Sequence, residues 1–177
     1  MGKGLTPLLL LTLLASACTT TGIQRKHTGQ TTQTKITHVT DGDTVDIKTG
    51  KGTDTVRLLG VDTPEVYGKN TPGEFEKIPD NQEGKNCLRK WGHRASNFAK
   101  KKLSNARINF TTDPRSDVRG AYGRLLGYIM KDGKNFNYQL VKKGLARVYD
   151  SDFTKKQKFL EAEQKAQNQL KGLWHCR

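Results

Sequence analysis

The chain has 177 residues, enough for one domain with a single hydrophobic core and too few for two complete ones. Thirty-one Lys and Arg against seventeen Asp and Glu give a formal charge of +14. Such a charge favours a polyanionic partner, with nucleic acid first; solubility and adhesion to an anionic membrane or cell wall are the plainer readings.

Residues 1–17 differ from the rest. A single cation, Lys3, precedes a leucine-dominated apolar run from Leu5 to Leu14. That run is shorter than the roughly 20 residues a spanning helix needs, and has the length of a signal-peptide core. It ends on Ala15-Ser16-Ala17-Cys18, which resembles a bacterial lipobox. The expectation is export, lipidation of Cys18 and an outward-facing membrane lipoprotein; simple cleavage after Ala17, giving a secreted protein, is the alternative. Residues 18–34 are polar and threonine-rich, as expected of a flexible linker.

The folded body is expected over residues 35–177. Strands are predicted at Lys35 to Val39, Thr44 to Thr49 and Asp54 to Val61, separated by Asp-Gly-Asp and Gly-Lys-Gly turn signals. A loop rich in Gly, Pro and Asn follows from Tyr67 to Asn86. Leu88, Trp91, Ala95, Phe98, Ala99 and Leu103 then recur at helical spacing. Two more strands are predicted at Ala106 to Thr112 and Leu125 to Lys131, a short helix at Phe136 to Lys143 stopped by Gly144, and a last helix from Thr154 to Lys171 with Phe159, Ala162, Ala166 and Leu170 on one face. This order suits an α+β, mainly β fold: a five-stranded OB-type Greek-key barrel with about three packed helices.

Cys87 and Cys176 remain once Cys18 is set aside. In an oxidising compartment an even pair is expected to be bridged; the alternative is two buried small hydrophobes. No Cys/His grouping suggests zinc, and the four histidines are scattered.

Chemistry concentrates between Asp41 and Glu65. Asp41-Gly42-Asp43-Thr44 places two carboxylates beside a turn glycine, and Arg57 leads into Gly60-Val61-Asp62-Thr63-Pro64-Glu65. Paired strands would bring Asp43 and Asp62 to one barrel end, and hard divalent cations prefer such oxygen donors. Pro64 biases Thr63 toward extended backbone. Arg57 and Arg124 can act as planar clamps on phosphate oxygens. Taken singly, each Asp is a turn former and each Arg a surface cation.

The combination is more specific. Asp-Gly-Asp-Thr at 41–44, Arg-Leu-Leu-Gly-Val-Asp-Thr-Pro-Glu at 57–65, Tyr-Gly-Arg at 122–124, Asp-Gly-Lys followed by Asn137, Leu140, Val141 and Gly144-Leu145-Ala146, and the closing Lys171-Gly172-Leu173-Trp174 resemble the thermonuclease (staphylococcal nuclease-like) family, in that order. The resemblance spans residues 35–174. It implies a calcium-dependent, monomeric nuclease acting on DNA and RNA with little sequence selectivity and leaving 3′-phosphate ends. It also implies Asp43, Asp62 and the Thr63 carbonyl as calcium ligands, with Asp41 supporting the metal's water shell. Glu65 would be the general base, Arg57 and Arg124 the phosphate clamps, and Tyr122 a substrate contact. Tyr149 corresponds to a second such tyrosine, although Asp150 aligns there equally well. Ala121 stands where the family often has lysine, and the loop from Tyr67 is longer than in compact members. A non-catalytic OB-fold lipoprotein that binds nucleic acid is the alternative, and such a domain should lack several of Arg57, Asp62, Glu65 and Arg124.

Overall fold

The computed structural model describes residues 1–2 and 29–177; residues 3–17 of the expected signal, Cys18 and residues 19–28 of the expected linker lie outside the described residues. Strands β1 (Thr31–Val39), β2 (Thr44–Thr49) and β3 (Gly52–Leu58) form an antiparallel meander. After β4 (Val61–Asp62), the 22-residue helix α1 (Gln82–Leu103) crosses to β5 (Arg107–Thr111) and β6 (Leu125–Lys131). The sheet order is β3, β2, β1, β5, β6, and parallel pairing of β3 with β6 closes it into a five-stranded barrel. The short strand β7 (Lys134–Asn135), helix α2 (Phe136–Lys142), β8 (Arg147–Val148) and helix α3 (Lys156–Asn168) complete the chain with a last 3-10 turn at Gly172–Cys176. The expected α+β barrel with three helices is the fold observed.

Ile36, Val45, Val56, Leu58, Ile129 and Leu140 fill the barrel and its helical base. Burying such side chains is worth about 1.5 to 3 kcal/mol each. A second cluster, Leu88, Ala166, Leu173 and Trp174 with Phe75 and Ile78, joins α1 to the chain end. There Cys87 and Cys176 are bonded to each other, with Cα atoms 5.8 Å apart.

Several boundaries differ from expectation. The strand expected from Asp54 to Val61 is two: β3 runs Gly52–Leu58, and Gly60, at φ 74, turns the chain into β4. Strand β1 starts at Thr31, so the last four residues of the expected linker pair with β5 from Thr31↔Thr111 to Thr34↔Ile108. Those side chains are polar because they do not face the core; the pairing is backbone, and hydropathy carries no trace of it. Helix α1 starts at Gln82 rather than near Leu88, because Asn81 caps it by accepting from the Gly84 amide at 2.9 Å. Finally, α3 ends at Asn168, and Leu170 is exposed with φ 47 rather than on the buried face. The chain turns there to bring Gly172 against Gly144: a Cβ on either would lie 2.0 Å from backbone oxygen of the other segment, and Leu173 N donates to Gly144 O at 2.7 Å.

Candidate active site

The loop between β1 and β2 holds the first carboxylates. Asp41 Oδ1 accepts from the amides of Asp43 at 3.0 Å and Thr44 at 2.7 Å, folding the loop around its own side chain. Gly42 is required by contact rather than by φ: a Cβ there would meet Thr63 Cγ2 at 2.7 Å and Ala95 Cβ at 2.9 Å. The loop therefore packs directly on Thr63, and Asp43, 1% exposed, reaches it. Asp43 Oδ2 accepts from Thr63 N at 2.7 Å and Thr63 Oγ1 at 2.8 Å, and Oδ1 accepts from Thr44 Oγ1 at 3.2 Å.

Arg57 lies at the C-terminal end of β3, opposite Thr44 of β2. Its guanidinium donates to Asp43 through one nitrogen and to Asp62 Oδ1 through the other, the latter at 2.5 Å. Burial raises the Asp43 carboxyl above the ordinary range, while Arg57 and the Thr63 amide oppose the rise. Burial also works against the Arg57 charge, but Asp43 and Asp62 outweigh it and hold the guanidinium protonated.

Asp62 has a second cation that sequence reading did not single out. Strand β4 pairs with β8 so that Asp62 lies opposite Arg147, whose Nε donates to Asp62 Oδ2 at 2.9 Å and which also reaches Glu74 at 3.3 Å. Asn70 was missed as well. It is buried in the loop after Glu65 and clamps that residue's backbone. Helix α1 backs the same segment, since a Cβ on Gly92 would approach Pro64 O to 2.4 Å.

Glu65, Arg57 and Arg124 line one open cleft of about 590 Å³ together with Tyr122 and Tyr149. The Arg124 guanidinium stands 5.6 Å from the Tyr122 ring centre. Burial raises the Glu65 carboxyl above its ordinary value, reinforced by the negative charges of Asp41 and Asp62 and opposed by Arg57. Asp41, Asp43, Arg57, Asp62 and Thr63 thus form one hydrogen-bonded group, and Arg57 carries it to the cleft that Glu65, Tyr122, Arg124 and Tyr149 line. The donors beside the cleft are oxygens only, the chemistry a hard cation takes. Among the described residues no group of three or more His, Cys, Asp or Glu side chains forms a ready metal cluster, so the carboxylate pair would rely on the Thr63 carbonyl and water.

The profile of the family described as "Staphylococcal nuclease homologue" matches residues 55–176. The chain belongs to that family. It is 34% identical over 141 residues to the thermonuclease of Staphylococcus intermedius, covering 78% of this chain and 74% of the relative. The thermonuclease of Staphylococcus hyicus is 31% identical over 142 residues, covering 79% and 74%. An uncharacterized protein of Methanocaldococcus jannaschii is 38% identical over 150 residues, covering 80% and 70%. In this staphylococcal nuclease-like chain the matched span carries Arg57, Asp62, Thr63, Glu65, Tyr122, Arg124 and Tyr149, whereas Asp41 and Asp43 precede it.

Proposed function

We propose that the protein is a calcium-dependent nuclease that hydrolyses phosphodiester bonds of DNA and RNA with little sequence selectivity. The observation that carries this reading is the meeting of Glu65, Arg57 and Arg124 in one open cleft, with Asp43 and Asp62 directly behind Arg57. Hydrolysis needs a base for water, fixed positive donors for the charge that grows on phosphorus-bound oxygen, and a counter-charge for the phosphate.

Asp43, Asp62 and the Thr63 carbonyl would hold calcium, with Asp41 supporting the loop; bound there, the cation supplies charge compensation to the phosphate. Glu65 accepts a proton from the attacking water. The water oxygen forms the new bond to phosphorus as the bond to the 5′-oxygen breaks; that oxygen leaves as a 5′-hydroxyl with a proton from solvent, and a 3′-phosphate end remains. Arg57 and Arg124 hold the non-bridging oxygens, and Tyr122 and Tyr149 contact the nucleotide from the cleft wall. Arg57 starts from a bridge to two carboxylates, so phosphate and carboxylate compete for one guanidinium.

The protein acts as a monomer, exported and tethered to the outer face of the cell membrane through lipid on Cys18. The support for the tether is the Leu5 to Leu14 run closing on Ala15-Ser16-Ala17-Cys18. Digestion of end-labelled DNA and RNA with calcium, and with chelator, tests the chemistry. Cleavage only with calcium and 3′-phosphate products are expected. Binding without cleavage would replace the enzyme by a non-catalytic OB-fold module. Fractionation tests the tether: envelope association lost on Cys18→Ala is expected, and a wholly soluble wild type rejects it.

A further inference from the structure

Three tyrosines stand out at the described surface, Tyr67 at 91%, Tyr122 at 85% and Tyr149 at 50% exposure, and all three border the candidate site. Tyr122 and Tyr149 line the cleft. Tyr67 has no role in that cleft. It sits two residues after Glu65, in a loop closed by the Glu65 and Asn70 hydrogen bonds. Its neighbour Gly68 lies against the general-base candidate, since a Cβ there would come within 3.2 Å of Glu65 Oε2.

The surroundings of Tyr67 are cationic and held. Arg89 of α1 donates to Gly68 O at 3.4 Å, and His93, one turn further along, meets the Tyr67 ring edge to face at 6.4 Å and 81°. Lys69 lines a second, smaller recess of about 190 Å³ whose wall also includes Glu65. Glu65 therefore stands between two spaces, one carrying Tyr122 and Arg124 and the other lined by Lys69, while Tyr67 and Arg89 are held at the same loop through His93 and Gly68 O. Of the three acids that line the smaller recess, Asp62 and Glu74 are engaged by Arg147, and Glu65 is the third.

We propose that Tyr67, with Lys69 and Arg89, is a second nucleotide subsite that stacks one base of a single-stranded substrate and holds its phosphate beyond the scissile bond. A ring that is almost wholly exposed on a pinned loop offers a π-face to any base, and adjacent cations track the backbone. Because stacking on Tyr67 requires an unpaired base, the subsite favours unwound over duplex substrate. This rests on the nuclease reading above and extends it to the length of strand bound.

The test is steady-state cleavage, with calcium, of a single-stranded decanucleotide and of a strand of equal length built from abasic tetrahydrofuran units. Tyr67→Ala should raise KM for the base-bearing strand about 10-fold, Tyr67→Phe should stay within about twofold of wild type, and the abasic strand should not distinguish the three proteins. A change below about twofold for Tyr67→Ala on the base-bearing strand overturns the subsite. So does an equal rise on both strands, which would make Tyr67 a loop-positioning residue. If the wild type cleaves neither strand, the nuclease reading itself fails and takes the subsite with it.

Discussion

Glu65 and Asn70 exchange two hydrogen bonds: the Glu65 amide donates to Asn70 Oδ1 and Asn70 Nδ2 donates to the Glu65 carbonyl, both at 2.9 Å. The buried amide side chain imitates a strand partner and fixes the backbone from which the Glu65 carboxylate projects. Asn70→Ala should cost about 1 to 3 kcal/mol of stability, because both backbone groups lose their partner. It should also lower turnover about 10-fold with KM nearly unchanged, since small misplacement of a reacting group is expensive. Asn70→Asp keeps the acceptor and loses the donor, and should fall between. Kinetics paired with urea unfolding checks this; an Asn70→Ala protein with wild-type turnover would show that Glu65 is positioned by other contacts.

The bond between Cys87 and Cys176 closes a loop with a sequence separation of 89 and clamps the cluster of Leu88, Leu173 and Trp174. Constraint of the unfolded chain predicts that its removal by Cys87→Ser with Cys176→Ser costs about 4 kcal/mol. The barrel core lies in the other cluster, so the double variant should still fold at low temperature. Urea unfolding of the oxidised and reduced wild type gives the same difference if the constraint is the cause.

How much of this was legible in the sequence depends on what each residue faces. Val45, Ile47 and Val56 announce β2 and β3 because they enter the core from alternating positions. The Asp41 loop and the Arg57 to Glu65 segment are readable because glycine, proline and clustered charge are chemically marked. The outward-facing threonines at the start of β1 carry no such mark. Arg147 is invisible for a different reason: its partner Asp62 is 85 residues away, and only the two-residue pairing of β4 with β8 brings them together. Asn70 lies in a loop where asparagine ordinarily signals a turn.

Asp113 makes a prediction about acid. Its carboxylate accepts from Tyr128 Oη at 2.6 Å, Thr154 N at 3.0 Å, the Thr154 hydroxyl and Arg115 N at 2.9 Å, tying the barrel to the segment before α3. Burial alone would raise its pKa, but the hydrogen bonds from Thr154, Tyr128 and Arg115 outweigh burial and lower it. The folded pKa is therefore below the unfolded one. The stabilisation is present above the ordinary carboxylate range and is lost as pH falls through the folded pKa. Asp113→Asn should cost about 2 kcal/mol at pH 7, from charge-assisted bonds lost, and the gap from wild type should narrow in strong acid. Urea unfolding at neutral and acid pH measures it; a gap that stays constant would place the effect in packing.

Glu65 carries the decisive prediction, because it separates an enzyme from a binding domain. Affinity for nucleic acid comes from the basic surface, the arginines of the cleft and the cation, whereas turnover needs a carboxylate to accept the proton of water. Glu65→Gln keeps the size of the side chain and its backbone clamp by Asn70. It should lower turnover by roughly two to four orders of magnitude, the range for a positioned general base, with binding changed little. Arg57→Lys should also damage turnover, since an ammonium cannot reproduce a planar two-point contact, but it should weaken binding too and loosen the bridge between Asp43 and Asp62. The two variants thus separate on binding: strand affinity by anisotropy should be retained in Glu65→Gln and reduced in Arg57→Lys. A folded Glu65→Gln protein that digests DNA with calcium at the wild-type rate would remove Glu65 from the chemistry, and the search for the base would move to a carboxylate-bound water beside Asp41.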